Sequence, residues 1–310
     1  MANTLTTAAQ LLQIADQNLD PAFVNDLLDD APFLKVIAAT KANASQGTQH
    51  KFLKDTTAAS GGFRAINDGA DYTASTQTLV TLDLKVVTAN VRVDQQIAKA
   101  YPGGVEPFMD FEGARSLRAA MASAEAQFFY GVSNDANGFV GLKANTYIDA
   151  LADGQVYGGG GSSNRTSVYL MRMGTDGVEL VLGRDGNIDV GETMEQLILG
   201  ANSKEMPVYF RVQEGLMGFK MGGAYSVARI ANLADATYTL TDAMIYEAIA
   251  KFPSSRQPNV IVMNRRSLKQ LRASRTATSP TGAPAPIPTE VEGIPIVVTD
   301  AISNSEAAVA

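Results

Sequence analysis

One long helical pattern near the middle of the chain restricts the possible folds more than any other feature. Residues 105–130, VEPFMDFEGARSLRAAMASAEAQFFY, carry apolar side chains at steps of three and four, which predicts an amphipathic helix. Pro107 fits its first turn, and Gly131 follows as a stop. At ~1.5 Å per residue the helix is about 40 Å long, a long rod for a chain of this size. The predicted apolar stripe is Phe111, Ala114, Leu117, Met121, Ala124 and Phe128.

The segment before this helix, residues 46–95, predicts a long two-stranded arm with a mobile tip. Alternation in QHKFLKDTT is followed by the glycine-containing AASGGFRAINDGADYTAS and by the strand-like run TQTLVTLDLKVVTANVRVDQQ. The apolar phase of that run changes at Val86–Val87, which predicts a bulge or a strand that buries opposite faces in two places. The two sets are Val80, Leu82, Leu84, Val86 and then Val87, Ala89, Val91, Val93. An isolated hairpin is at best marginally stable, so this arm needs a partner surface.

The rest of the chain mixes strands and helices without a regular βαβ rhythm. Residues 1–45 hold two short helical patterns and are interpreted as an arm that lies on another surface. Beyond the long helix comes a β-rich block from TSVYLMRM to YSVARIANL, then a helix in TDAMIYEAIAKF with Thr241 and Asp242 as capping residues. A buried strand NVIVMN, a basic helix RRSLKQLRAS, a Pro-rich loop and a strand GIPIVVTD follow. The order predicts an α+β fold.

Composition and charge exclude several classes of protein. The chain has 310 residues, 45% of them hydrophobic, enough to bury a substantial core in one large domain or two smaller ones. It has no cysteine, which excludes disulfides and cysteine-ligated metals, and a single histidine, His50, expected to be partly exposed at a strand start. A net charge of −7 argues against a specific reader of nucleic acids. Without a membrane-spanning run or a signal peptide, we expect a soluble protein that is intracellular when made.

No catalytic or binding motif is convincing. The glycines at 158–161 are followed by a strand-like run and not by a helix, so they predict a flexible joint and no phosphate site. Asp185, Asn187 and Asp189 resemble the start of an EF-hand loop, but Val190 and Gln196 stand where glycine and glutamate are required. A tight turn is the favoured interpretation. We therefore expect no enzyme activity, no cofactor and no metal site.

The order of these elements resembles the major capsid proteins of tailed double-stranded DNA phages, of the Hong Kong 97 fold type and a podovirus-like branch. The segments VIVMNRRSLKQL, EGIPIVVTDAI and YSVARIANL carry most of the resemblance, which covers nearly the whole chain. The resemblance implies an N-terminal arm at 1–45 and an extended loop at 46–95. It further implies a peripheral domain at 96–153 with the 105–130 helix as its spine, and an axial domain at 154–310 with return segments to the peripheral domain.

The implied function is assembly as hexamers and pentamers into an icosahedral shell that encloses packaged double-stranded DNA without sequence-specific binding. Two alternatives stay open: an encapsulin-like compartment that encloses an enzyme cargo, and a β-rich surface protein that binds a carbohydrate or a receptor. The implied location is the virion capsid, assembled in the host cytoplasm, with no membrane. The implied partners are copies of the chain itself, a separate scaffolding protein, a portal and a cement protein.

Contacts between subunits are expected at two places. The loop tip would contribute Phe63, Arg64 and Asp68, and the basic helix would contribute cations that meet acidic neighbours: Arg265, Arg266, Lys269 and Arg272. On the spine helix we single out Phe111, Leu117, Met121 and Phe128, most of which are expected to lie in the subunit's own core. Within this interpretation the glycine joint absorbs differences between non-identical positions in one shell.

Overall fold

The structure is a computed structural model that describes residues 28–43, 47–57, 61–69, 74–144, 148–161, 163–183, 186, 188–200, 203–235, 237–278 and 283–310. Within these ranges the helices are α1 Gln95–Ala100, α2 Val105–Tyr130, α3 Asp242–Ala250 and α4 Arg265–Ala277. Short 3-10 turns lie at Gly131–Ser133, Leu142–Ala144 and Ala224–Ser226.

The strands in chain order are β1 Ala39–Lys41, β2 Gln49–Thr57, β3 Thr76–Asp83, β4 Lys85–Thr88, β5 Val91–Asp94, β6 Val156–Gly158, β7 Thr166–Met171, β8 Val178–Leu182, β9 Ile188–Val190, β10 Met194–Leu199, β11 Glu205–Arg211, β12 Gln213–Met221, β13 Val227–Leu233, β14 Val260–Met263, β15 Glu290–Val291 and β16 Ile294–Val298. The predicted α+β class is confirmed by this mixture and by its predominantly antiparallel pairing.

The predicted long helix is confirmed as α2, with the bounds that its sequence pattern indicated. It begins after Gly104 and ends at Gly131, whose φ of 54° is a left-handed conformation that glycine adopts without strain. Two other predicted helix starts are also present. The Thr241 hydroxyl accepts from the Met244 amide at the start of α3, and the Asn264 side chain accepts from the Ser267 amide at the start of α4.

A six-stranded sheet with the order β15-β16-β14-β7-β13-β6 separates two hydrophobic cores. Every residue of β7 is buried, and its side chains alternate between the two cores: Val168 and Leu170 face one, Tyr169 and Met171 the other. The core that contains Val168 also contains residues of α3 and α4. The other core contains the buried apolar residues of α2 from Leu117 to Phe129 together with Phe33 and residues of β8 and β12.

The β-rich block after β7 returns to the neighbourhood of α2. Strands β8, β9 and β12 join β1 and β4 in a five-stranded sheet, while β10 pairs with β11 and β11 pairs with β5. The pairing of β1 with β8 is parallel and joins Thr40 to Val181. Long-range pairing of this kind leaves no signal in local periodicity, so the sequence pattern did not indicate which strands would share a sheet.

The run 76–94 passes through three sheets. Its first part, β3, pairs with β2 in a two-stranded hairpin, β4 pairs with β12, and β5 pairs with β11. The predicted change of phase is confirmed, but the first apolar set ends at Leu84, two residues earlier than expected. Leu84 and Ala89 are buried whereas Val86 is 57% exposed, because the chain leaves the hairpin at Leu84 and changes its pairing partner.

The described part of the N-terminal region packs on its own subunit. Residues 1–27 and 44–45 of the predicted arm, including its first helical pattern, lie outside the described residues. From residue 28 onward Leu28, Phe33, Leu34 and Ile37 are buried in the same core as α2. In the described part of this arm the surface that it covers is therefore the subunit's own core.

Candidate assembly surfaces

The spine helix α2 buries a line of residues at steps of four. Met109, Gly113, Leu117 and Met121 are buried, and the line continues through the acidic Glu125 to Phe129. Of the four residues singled out on this helix, Leu117, Met121 and Phe128 lie in the subunit's own core.

Phe111 is 51% exposed, because the first turns of α2 face the body through Met109 and Gly113 instead. Its ring contacts the Arg115 guanidinium, 5.5 Å from the ring centroid. Counting apolar residues alone missed Gly113, which is buried because it approaches closely: a Cβ there would lie 2.5 Å from the Gln213 side chain.

Glu125 is a fully buried carboxyl group that joins three distant parts of the chain. It accepts a hydrogen bond from the Phe33 amide at 3.2 Å and another from the Thr299 hydroxyl. Burial raises the pKa of Glu125 to about 7, although the hydrogen bonds from Thr299 and the amides of Phe33 and Leu34 oppose this rise. Sequence reasoning missed this residue, and its signal was an acidic residue on the apolar side of AAMASAEAQFFY.

A second buried polar network holds the C-terminal segment. Arg229 and Glu306 form an ion pair at 3.0 Å in which both side chains are at most 5% exposed. The Tyr130 hydroxyl donates to Glu306 at 2.7 Å and accepts from the Ser303 amide at 2.7 Å. Burial raises the pKa of Tyr130, so the phenol keeps the proton that it donates. The network connects the end of α2 with β13 and with the last residues of the chain.

The predicted two-stranded arm is confirmed as the hairpin β2–β3, whose two faces differ in chemistry. On one face Leu82 lies on Gly218 of β12, as does Leu84 just after β3; a Cβ added to Gly218 would be 3.2 Å from Leu82 and 2.5 Å from Leu84. On the other face Leu53 and Leu79 are direct cross-strand partners. They are 62% and 60% exposed, and they form an apolar pair on the free face of the hairpin.

The tip of the hairpin, residues 61–69, presents apolar side chains to solvent on a turn with internal hydrogen bonds. Phe63 is fully exposed and Ile66 is 93% exposed. Arg64 Nη1 donates to the Asp68 carbonyl at 3.0 Å, and the Asp68 carboxylate accepts from the Gly69 amide at 2.8 Å. Two of the three residues predicted at the tip therefore stabilise its turn, and the third, Phe63, projects from it.

The base of the hairpin covers a buried ion pair. Lys220 Nζ lies 2.9 Å from Glu179 Oε2 and 5.4 Å from the centre of the Phe52 ring. His50, on the same strand as Phe52, is only 7% exposed, which corrects the expectation of a partly exposed histidine. Burial and the nearby Lys220 charge lower the pKa of His50. The body-facing side of the hairpin is thus firmly packed at its base.

The four cations predicted on the basic helix all lie on α4, and three of them have partners in their own chain. Arg265 lies 3.4 Å from Asp300 in an exposed ion pair. Arg266 donates to the Asn164 carbonyl at 2.6 Å, and Arg272 donates to the Ala285 carbonyl at 2.7 Å. Lys269 is exposed. The helix therefore fastens two of the subunit's own loops while presenting positive charge at the surface.

The glycines at 158–161 are packed, and the expectation of a flexible joint is wrong for them. Gly158 ends β6, which pairs with β13, and the amides of Gly159 and Gly161 donate to the carbonyls of Ala231 and Asn232. A Cβ at Gly161 would lie 2.5 Å from the Asn232 carbonyl oxygen, and one at Gly160 would lie 2.5 Å from the Tyr238 ring. Glycine is required here for close approach between segments.

The sequence also predicted that the chain has no membrane-spanning segment and no metal site. Among the described residues no helix has both the length and the apolar character needed to cross a bilayer. Across the same ranges no three acidic or histidine side chains are grouped closely enough to hold a metal ion. Asp185 and Asn187 of the EF-hand-like stretch lie outside the described residues, and Asp189 lies in β9.

Comparison with known proteins identifies the family. No curated protein matches the chain. The bacteriophage Epsilon15 cryo-EM structure contains a similar fold, with a TM-score of 0.63 and 19% identity over 100% of this chain and 98% of that one. The bacteriophage JBD30 capsid is similar with a TM-score of 0.52 and 12% identity over 92% of this chain and 99% of that one. Residues 16–310 match the family described as "Major capsid protein GP7".

The family match selects the phage shell protein over an encapsulin-like compartment and over a β-rich surface binding protein. It covers almost the whole chain, including the spine helix and the hairpin. The structural likeness to the two phage chains adds the Hong Kong 97-type fold. The chain therefore belongs to the major capsid protein GP7 family, and it forms the icosahedral shell of a tailed-phage virion.

Proposed function

We propose that the hairpin β2–β3 of each subunit overlaps a neighbouring subunit and that this overlap holds the shell together. The observation that carries the proposal is the exposed apolar surface of an element whose other face is packed. Among the described residues, the pair Leu53–Leu79 and the tip residues Phe63 and Ile66 are all more than half exposed. Exposed apolar side chains that cluster on one element are typical of interaction sites.

The energy available from this overlap is sufficient for assembly from many copies. Full burial of one Leu, Ile or Phe side chain contributes about 1.5–3 kcal/mol relative to exposure. Four such side chains on each hairpin, repeated at every subunit, favour a closed shell while each single contact stays modest. Because a lone hairpin is marginally stable, contact with the neighbour also stabilises the arm itself.

We extend the proposal to the division of the subunit. The peripheral domain would be built on α2, within 96–153, and the axial domain within 154–310. The return segments would be residues 178–221, since β8 pairs with β1, β12 with β4 and β11 with β5. The axial domain would then consist of the six-stranded sheet with α3 and α4, and α4 would present Arg265 and Lys269 to acidic neighbours.

The remaining expectations concern the assembled particle. Subunits would group as hexamers and pentamers, and the shell would enclose double-stranded DNA without reading its sequence. The net charge of −7 supports this, because a wall that bound phosphates strongly would oppose entry and ejection of the genome. A scaffolding protein, a portal and a cement protein are the proposed partners, and assembly would take place in the host cytoplasm.

The experiment is deletion of residues 60–70, which removes the tip and leaves the paired strands. We expect a folded subunit that fails to form stable shells, observed by negative-stain electron microscopy and by sedimentation. Normal shells with unchanged stability would contradict the overlap. Denaturant unfolding of the unassembled variant is the control, and it should match wild type because residues 61–69 are all exposed.

A further inference from the structure

A cavity of about 150 Å³ lies between the spine helix, β4 and the turn that follows the helix. Its walls include Val86 and Val87 of β4, Ala120 and Ser123 of α2, and Phe139 after the turn. Val86 is 57% exposed, and Val140, next in the chain to Phe139, is 56% exposed. The cavity is thus open to the surface and has apolar side chains at its edge.

The size of the cavity matches one aromatic ring. A cavity of about 150 Å³ is large enough for benzene, which has the size of a phenylalanine ring. The walls of this cavity are mixed, because Val87, Ala120 and Phe139 are apolar whereas Thr88, Gln127 and Asn137 are polar. Phe63 is the most exposed large apolar side chain among the described residues, and the hydrogen-bonded turn of the tip presents it outward. The exposed Phe63 ring and the cavity are therefore of matching size.

The hairpin of the same subunit does not reach this cavity. The strand β3, eight residues from Thr76 to Asp83, separates the tip from Lys85 at the cavity rim. At ~3.3 Å per residue that separation is about 30 Å. The base of the hairpin is packed on Gly218 and Lys220, which prevents it from folding back. A Phe63 ring that fills the cavity would therefore come from a second copy.

The charges at the two surfaces are complementary. The tip carries one cation and one anion, Arg64 and Asp68, and the cavity rim carries one anion and one cation, Asp135 and Lys85. All four residues are exposed, so these pairs set orientation more than strength, because exposed ion pairs contribute little to stability. The buried ring would supply most of the affinity.

We propose that Phe63 of one subunit inserts into the cavity between α2 and β4 of its neighbour, with Arg64 facing Asp135 and Asp68 facing Lys85. This inference rests on the overlap proposed above and names the surface on which the tip binds. It predicts that the shell is sensitive to the shape of the cavity as well as to the length of the hairpin.

A cross-linking experiment tests the contact. Because the chain has no cysteine, only the introduced cysteines can react with the cross-linker. Phe63→Cys subunits and Ser123→Cys subunits are mixed, assembled and treated with a short bis-maleimide. Ser123 is exposed and lines the cavity. We expect covalent dimers on a denaturing gel, at least tenfold more than from either variant alone. The matched control replaces Ser123→Cys by Ser255→Cys, an exposed position between α3 and β14.

The outcomes of the cross-linking distinguish the cavity contact from the overlap of the hairpin on a neighbouring subunit. Shells that form normally but yield no more dimers through position 123 than through position 255 would overturn the cavity contact and leave the overlap intact. A second variant, Ser123→Trp, fills the cavity from an exposed position and should reduce shell yield at least tenfold without changing the unfolding of the subunit. If Ser123→Trp shells equal those of wild type while the tip deletion abolishes assembly, the inference is wrong and the overlap stands.

Discussion

The spine helix and the hairpin contain similar apolar residues, but the subunit buries one set and exposes the other. Phe128 of α2 is fully buried, with ring centroids 4.8 Å from both Phe33 and Phe219. Leu53 and Leu79 of the hairpin face solvent, as does Phe63 at its tip. The difference shows two uses of the hydrophobic effect. In the helix it stabilises the subunit before assembly, and in the hairpin it remains available for a neighbour.

The largest expected effect is at the aromatic cluster of the spine helix. Phe128→Ala removes a ring with 0% exposure from contact with Phe33, Phe129 and Phe219. We expect a loss of about 3–5 kcal/mol in the free energy of unfolding, since the lost burial is combined with a cavity. Chemical denaturation of the unassembled subunit measures it.

Phe111→Ala is the matched control on the same helix, because its ring is half-exposed. Its cost should stay below about 1 kcal/mol. Equal losses of unfolding free energy for Phe128→Ala and Phe111→Ala would contradict the assignment of a buried and an exposed side to α2.

A smaller effect is expected from the buried acid of the same helix, and it depends on pH. Because burial raises the pKa of Glu125 to about 7 from an ordinary 4.5, the folded subunit binds a proton that the unfolded chain has lost. The stabilisation is complete below pH 4.5 and is lost as the pH rises to 7. The difference in unfolding free energy between wild type and Glu125→Gln should therefore change by roughly 3 kcal/mol across this window.

The variant Thr299→Val tests the same titration of Glu125 from its hydrogen-bond donor. The Thr299 hydroxyl donates to Glu125 and opposes the rise of its pKa, so its removal should shift the pH dependence toward higher pH. Parallel pH profiles for wild type and Glu125→Gln would show that the carboxyl group does not titrate in the folded subunit within this range.

The smallest effect on the subunit is expected on the free face of the hairpin. The double variant Leu53→Ser, Leu79→Ser should change the unfolding free energy of the unassembled subunit by no more than about 0.5–1 kcal/mol, because both side chains are already exposed. Its shells should require roughly tenfold higher subunit concentration to form, a change of about 1.4 kcal/mol per contact. Light scattering during assembly measures the second quantity.

Leu82→Ser, on the body-facing side of the hairpin, is the opposite control. Leu82 packs over Gly218, so its replacement should destabilise the unassembled subunit. A double variant at Leu53 and Leu79 that destabilises the subunit more than Leu82→Ser does would reverse the assignment of the two faces.

Local elements were largely predictable from the sequence. The helix α2, the two-stranded hairpin, the cap residue Thr241 and the change of phase near Leu84 depend on periodicity and capping over a few residues. The buried stripe of α2 was predicted less well. Apolar counting placed Phe111 inside and omitted Gly113 and Glu125, because a glycine that allows close approach and a hydrogen-bonded acid have no apolar signal.

The sequence alone determined the α+β class, the spine helix, the hairpin and the resemblance to a phage shell protein, because each rests on patterns within a continuous segment. Only the tertiary structure decided which apolar residues remain exposed. The run 76–94 takes its partners from β2, β12 and β11, more than a hundred residues apart in the last two cases. Burial depends on those distant partners, so Val86 and Leu84, two residues apart in one strand-like run, have opposite environments.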